Sequence, residues 1–527
     1  MKLRLAISAI LMLLTVTLVL NIPQPIIAAG PEQKLVLAVG DELGPGNPHD
    51  YSSNMVLLDL IYEPLVRYGP DGTIQPALAE AWEISPDGLT WTFRLRRGVV
   101  FQDGTPFDAE VAKWNFERWV GVERHGWLPS TKRIVGIDTP DQYTFVLRID
   151  QPYYPSIQDL TLIRPVRFLS PRAVNEAGEF VSPVGTGPWK VESLDKQRVV
   201  LVRHEDYWGE KPLLDRVILE VILDAQTRMA ALLSGEVDVI GGEYLGAVSL
   251  ESLPILERNP QVRVLTGDPV MTFYVSTQYG RPPFDDVRVR RALNMAIDRA
   301  GISQTLFGGK AQPARGLFPS IIPYVTYTGS DIYNYDPQRA AALLAEAGWK
   351  PNPQGILEKE GAPLKMTLVV DQSQRPQTVT IAQAMQAQFK AIGVELEVRA
   401  MDYSGWLNAH YTGEFDLIMD FSWGPPYDPH SLLSGTFTTR VTPGGHGIAY
   451  ADATLDQLIE SVLAAVDENE RQSLYNQIWQ YLDEVAAVIP LVYPERVFAV
   501  RSQVQGFRMG GTEYDLAYAV QKVTITD

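Results

Sequence analysis

The 527-residue chain has no cysteine and only six histidines: His49, His125, His204, His410, His430 and His446. Without cysteine there is no disulfide, no thiolate metal site, no thiol nucleophile and no residue to carry a lipoprotein anchor. No HExxH or HxH pair occurs among the histidines, so a zincin-type site is disfavoured. Any transition metal must be held by His, Asp, Glu or Met, or arrive inside a chelator that the protein recognises. Positive charge is also scarce. Lys and Arg number 45 against 63 Asp and Glu, a formal net charge of −18. That disfavours nucleic acid and polybasic membrane contacts, which need clustered cations. GxSxG elbows, P-loops and a GxGxxG after a strand are missing too. Gly185-Thr186-Gly187-Pro188-Trp189 is glycine-rich, but the proline makes it a rigid turn rather than a phosphate cradle. The abundant acids leave a carboxylate-pair hydrolase open as a bare possibility that no spacing supports.

Long apolar runs are confined to the first thirty residues. Lys2 and Arg4 precede an apolar stretch from Leu5 to Leu20, and the small residues Ala28, Ala29 and Gly30 come next. Positive start, apolar core and small-residue end are the order of a secretory signal. Ile27 stands where a small residue would precede a cut after Ala29, which leaves an uncleaved anchor as the alternative. Both readings export the remainder, to a periplasmic or other extracytoplasmic location. No later stretch is long and apolar enough to span a bilayer.

What is present is an ordinary globular composition, 46% hydrophobic and 20% charged, in a chain too long for a single core, since cores stop growing near ~250–300 residues. Leu35–Val39 is a short apolar run expected to be a buried strand. Trp91-Phe93-Leu95 and Tyr143-Phe145-Leu147-Ile149 alternate with polar residues, as half-buried strands do. Val217-Leu219-Val221, Leu364-Met366-Leu368-Val370 and Val394-Leu396-Val398 share the same period. Helical spacing links Val289, Ala292, Leu293, Ala296 and Ile297, with Asp285 or Asp286 at the start. It also links Leu455, Leu458, Ile459 and Val462. Asp336-Pro337 predicts an N-cap and first-turn proline for a helix through Ala340, Ala341, Leu344 and Ala347, stopped by Gly348. Strands and helices intermix, so the class is α/β or α+β.

Several strings carry a resemblance along nearly the whole chain after the signal: Ile61-Tyr62-Glu63-Pro64-Leu65-Val66, Pro76-Ala77-Leu78-Ala79-Glu80-Ala81-Trp82, Phe101-Gln102-Asp103-Gly104-Thr105-Pro106-Phe107, Gly185–Trp189, Asp206-Tyr207-Trp208, Val289–Asp298 and Tyr335-Asp336-Pro337. In this order they resemble the bacterial extracellular solute-binding proteins that deliver peptides, nickel and some sugars to ABC permeases. The resemblance implies an α/β, two-lobed periplasmic-binding-protein fold of type II, with an extra inserted subdomain in lobe I, and no enzymatic activity. Lobe I is expected at 31–270, with the insertion at about 68–184. Lobe II is expected at 271–489, and 490–527 returns to lobe I. The permease and ATPase would be separate chains, with a monomer as the family default.

Within that family, Gly46-Asn47-Pro48-His49, Arg124-His125-Gly126-Trp127, Pro152-Tyr153-Tyr154-Pro155, Arg164–Phe168 and Trp423–His430 resemble the nickel-binding members. By that resemblance the ligand is Ni²⁺ as a carboxylate-bearing chelate, and the chain needs no cofactor of its own. Arg164 is the expected carboxylate clamp and Arg124 a second cation, because guanidinium is a permanently charged donor fork that suits carboxylate. Trp127, Trp423, Tyr51, Tyr427 and Met55 would wall the pocket. Thr512 would reach it, and His446 would complete the metal's coordination. His49 and His430, beside prolines, are expected to be structural. The rival ligand is a short peptide, whose amino group would need an acid such as Asp428 or Asp420.

Overall fold

The alternating strings pair with each other in space. Thr90–Leu95 lies antiparallel to Thr144–Ile149, with Trp91 opposite Leu147 and Phe93 opposite Phe145. All four of those side chains are buried. The computed structural model describes residues 33–326, 330–439 and 449–526; the expected signal segment, 1–30, lies outside them. Among the described residues these two strands form the middle of a four-stranded antiparallel sheet with Ala79–Ile84 and Ile134–Asp141 at its edges. One face is apolar and one polar, as period-2 patterning requires.

Two larger sheets carry the rest. The first has seven strands in the order Val262–Gly267, Arg496–Arg501, Val239–Gly241, Lys34–Val39, Arg216–Val221, Arg198–Arg203, Trp189–Leu194. The second has six, in the order Ala311–Pro313, Val488–Pro494, Phe273–Thr277, Leu417–Phe421, Lys365–Asp371, Glu395–Met401. Phe273–Thr277 is buried at every position, which fits a central strand covered on both faces. Helix Gln377–Ala391 makes the crossover between the parallel strands Lys365–Asp371 and Glu395–Met401. The helices expected at Asp286 and Asp336 are present at Val287–Met295 and Pro337–Glu346. Each is capped by its aspartate side chain accepting a backbone N–H.

The chain passes between the two large sheets twice, through residues 268–272 and at Glu495. The second passage falls later than a break at 489/490. Val488–Pro494 is needed to cover both Phe273–Thr277 and Ala311–Pro313 with hydrogen bonds.

One short helix anchors the segment around Tyr51 to the core. Met55–Ile61 starts at Asn54, whose side chain accepts from Val56 N–H. It ends against the Gly185–Trp189 turn, where Gly187 N–H donates to Ile61 C=O at 2.9 Å. A Cβ on Gly185 would stand 2.1 Å from the Ile61 carbonyl oxygen. Glycine is there because the helix end and the turn approach within contact. Gln102 ties the junction, donating to the carbonyls of Ile61, Gly187 and Trp189.

Candidate ligand site

Open α/β sheets present their ligand crevices beyond the carboxyl ends of parallel strands. Here the loop after Val239–Gly241 carries Glu243 and Tyr244, and the loop after Lys365–Asp371 carries Arg375. The loop after Leu417–Phe421 carries Trp423 and Tyr427. These loops, from different sheets, face one another. Arg375 Nη2 lies 2.5 Å from Glu243 Oε1, with both side chains largely buried, and its guanidinium sits 3.5 Å above the Phe421 ring centroid.

Residues 49–55 and 124–164 complete the crevice from the first half. Arg164 Nη1 donates to the carbonyls of Tyr51 at 3.1 Å and Ser53 at 2.9 Å. Its guanidinium lies 5.1 Å from the Tyr51 ring centroid. Among the described residues no carboxylate forms an ion pair with it, so its remaining N–H groups can meet an anion. The Tyr51 hydroxyl receives the Trp127 indole N–H at 2.5 Å and lies 2.7 Å from His125 Nδ1. Burial raises the Tyr51 phenol above its usual value.

The aromatic wall expected from the sequence assembles across the two halves. Trp127 is 6.4 Å from Trp423, edge to face, and 6.1 Å from Tyr427; Trp423 and Tyr427 are 6.3 Å apart. Tyr427 continues to Tyr514 at 6.4 Å, and Tyr514 to Tyr244 at 6.0 Å. Burial raises the Tyr427 phenol above its usual value. The loop holding Trp423 and Tyr427 is braced by Asp428, which accepts from Gly424 N–H at 2.7 Å and Trp423 N–H at 3.3 Å. Gly424 has φ +71°, a backbone that side-chain-bearing residues rarely adopt.

The other expected residues are placed less directly. Arg124 stands behind His125: its Nε donates to His125 Nε2 at 3.3 Å and its Nη2 to His49 C=O at 2.9 Å. Met55, half-buried, packs on the main core cluster. Thr512 is buried, its hydroxyl accepting from Tyr514 N–H at 3.3 Å and its N–H donating to Asp515 at 2.9 Å. It therefore shapes the turn that carries Tyr514. His446 lies outside the described residues.

His49 and His430 are both buried and engaged. His49 Nε2 reaches Arg167 C=O at 3.0 Å, and its Nδ1 accepts from Arg118 at 3.2 Å. His430 meets Asp159 at 3.2 Å. Neither acid considered for a peptide's amino group is free. Asp420 is buried against His410 at 2.9 Å, and Asp428 is spent on its own loop, burial pushing its carboxyl up to about 7. Four crevice residues, Tyr244, Glu243, Arg375 and Tyr514, were not expected from the sequence: the first three stand in strings whose only signal is a strand ending nearby, and Tyr514 lies beside the expected Thr512 without a motif of its own. A cavity of about 330 Å³ lies elsewhere, lined by Trp91, Tyr153, Tyr154, Tyr324 and Arg471 among others. Its cation, Arg471, donates from both Nη atoms, to Tyr324 OH and to the carbonyls of Ala465 and Val466, whereas Arg164 donates from Nη1 alone. The crevice whose guanidinium keeps more of its N–H groups for a ligand is therefore the better candidate.

The bacterial extracellular solute-binding proteins, family 5 middle, match residues 73–443. The nickel-binding periplasmic protein of Escherichia coli (strain K12) is 35% identical over 474 residues, covering 88% of this chain and 90% of that protein. The di/tripeptide-binding protein 2 of Pseudomonas aeruginosa (strain UCBPP-PA14) is 28% identical over 522 residues, covering 92% and 94%. The crystal structure of NikA from Brucella suis in complex with Fe(III)-EDTA superposes with a TM-score of 0.88 at 32% identity, covering 94% of this chain and 100% of that one.

Proposed function

The chain belongs to family 5 of the bacterial extracellular solute-binding proteins, and on that premise we propose that it captures nickel already wrapped in a small carboxylate-bearing chelator. The family is one of solute-binding transport proteins rather than enzymes, working with ABC permease and ATPase components. The observation that carries the finer reading is Arg164: a half-buried guanidinium with no carboxylate partner among the described residues, facing an aromatic wall contributed by both halves. Such a site suits a compact anion with flat apolar faces. Among the described residues no group of three or more His, Asp or Glu is placed to hold a metal ion. The names of two relatives, a nickel-binding protein and a NikA bound to Fe(III)-EDTA, favour the same reading.

In this mechanism the chelate's carboxylate docks on Arg164, and Trp127, Trp423 and Tyr427 close over its faces. Contacts to both halves favour the closed arrangement by their differential free energy, which is what shifts such an equilibrium. The permease then meets the closed form. No bond in the ligand is made or broken. The two passages at 268–272 and Glu495 serve as the hinge. The protein acts outside the cytoplasm, as a monomer, whether residues 1–30 are removed or remain as an anchor.

A short peptide is the second reading, favoured by the di/tripeptide-binding relative. Tryptophan-fluorescence titration of the purified protein decides between them. Ni²⁺ with L-histidine should give a saturable change that Ni²⁺ alone and dipeptides do not. A response to dipeptides only would replace the nickel reading with the peptide one. A response to Ni²⁺ alone would point to direct coordination, and His446→Ala should then abolish it.

A further inference from the structure

Hydrogen-bond polarity in the crevice can be followed atom by atom, starting from the one group whose role is invariant. An arginine Nε–H is always a donor. Arg124 Nε donates to His125 Nε2 at 3.3 Å, so Nε2 is an acceptor. Burial and the neighbouring Arg124 hold the His125 ring down at about 4, so it is neutral at ordinary pH. A neutral imidazole with Nε2 accepting carries its proton on Nδ1. That proton is donated to the Tyr51 oxygen, 2.7 Å away. The Trp127 indole, which can only donate, gives a second hydrogen bond to the same oxygen at 2.5 Å. Both lone pairs of the phenol are then occupied. The single hydrogen-bonding function left to Tyr51 is its own O–H. His125 is fully enclosed, whereas Tyr51 is 38% exposed, so the free function belongs to the residue at the open side.

We infer that His125 is a positioning residue: it fixes Tyr51 as an obligatory hydrogen-bond donor, so the site requires an acceptor oxygen, a carboxylate, on its ligand at that point. This rests on the chelate reading and deepens it. Arg164, whose guanidinium lies over the Tyr51 ring and is tied to the Tyr51 carbonyl, and the Tyr51 O–H present two donors to the same end of the ligand. A phenol with both lone pairs engaged and its proton retained is not a metal ligand. The chelate therefore enters with its carboxylate toward Tyr51 and Arg164, and its metal is bonded elsewhere. Arg124, set back behind the imidazole, acts through His125 rather than on the ligand.

The test is a double-mutant cycle read with two probes by calorimetric titration: Ni²⁺ with L-histidine, and Ni²⁺ with histamine, which lacks the carboxylate. Wild type should favour the histidine complex at least tenfold. Tyr51→Phe and His125→Ala should each lower that preference severalfold, Arg164 keeping the remainder, and the double variant should be no worse than Tyr51→Phe alone, because His125 acts only through Tyr51. His125→Asn, whose amide N–H can stand in for Nδ1–H, should restore it. Equal losses toward both probes, or additive losses in the double variant, would overturn the inference, as would a failure of His125→Asn to restore the preference while thermal unfolding shows it folded. If wild type ignores both nickel complexes and binds Ala-Ala, the chelate reading falls. The same cycle with Ala-Ala against its C-terminal amide then decides the role of His125 separately.

Discussion

Arg164 uses one nitrogen to hold the backbone at Tyr51 and Ser53 and leaves the others for a ligand. Removing it deletes a charge-assisted contact worth about 1.5–3 kcal/mol. Arg164→Ala is therefore expected to weaken the Ni²⁺–histidine complex roughly tenfold to a hundredfold, read by fluorescence titration. Arg164→Lys should recover little, because an ammonium cannot span two carbonyls and a carboxylate from one plane. His49 and His125 make a separate prediction about pH. Burial, aided by Arg118 in one case and Arg124 in the other, lowers them to about 3 and about 4. The unfolded chain takes up these protons below about 6.5 while the native one resists. Their contribution to stability is thus complete above about 6.5 and is lost as pH falls toward 4. Replacing His125 with Gln should flatten the acid limb of the melting temperature measured from pH 7 to 4.

At the scale of elements, the helix Met55–Ile61 joins the core to the crevice. Its cap Asn54 comes directly after Tyr51–Ser53, and the Asn54 amide also donates to Tyr244 C=O at 3.3 Å. Asn54→Ala should cost about 0.5–2 kcal/mol in denaturant unfolding and weaken ligand binding as well, since Tyr244 loses its tether. Gly185→Ala tests the other end. The new methyl would collide with the Ile61 carbonyl, a backbone atom that cannot swing away, and overpacking of this kind costs about 1–3 kcal/mol. A fully stable Gly185→Ala protein would show that the turn and helix do not hold each other in solution.

For the whole molecule, the question is how the two halves meet. The Arg375–Glu243 pair and the Trp127–Trp423 contact join them. His430 with Asp159, and Tyr154 N–H with Leu463 C=O at 3.0 Å, add further links. Breaking one link should shift the equilibrium toward an open form. Arg375→Ala and Glu243→Gln are each expected to raise the ligand-free radius of gyration in small-angle X-ray scattering. Ligand should then return it to the wild-type bound value. An unchanged radius in both variants would mean that the remaining links hold the arrangement without this ion pair.

Much of this was decided locally, and so was legible in the chain. Period-2 strings became paired strands because burial on one sheet face selects alternate residues. Asp336-Pro337 and Asp286 became helix starts because a carboxylate can cap free N–H groups without outside help. The absence of cysteine and of catalytic motifs, and the family strings themselves, pointed to a solute-binding protein, and the family match agrees. The strings around Tyr51, Arg164, Trp127, Trp423 and Tyr427 named side chains that the fold does bring together. Tertiary structure alone decided the rest, since it depends on residues far apart in the chain. That Arg375 faces Glu243 depends on two loops 132 positions apart. That Asp420 and Asp428 are consumed internally depends on the burial of His410 and on the turn at Gly424. That Tyr51 is left only a proton to offer depends on the single imidazole between it and Arg124, whose polarity no sequence spacing specifies.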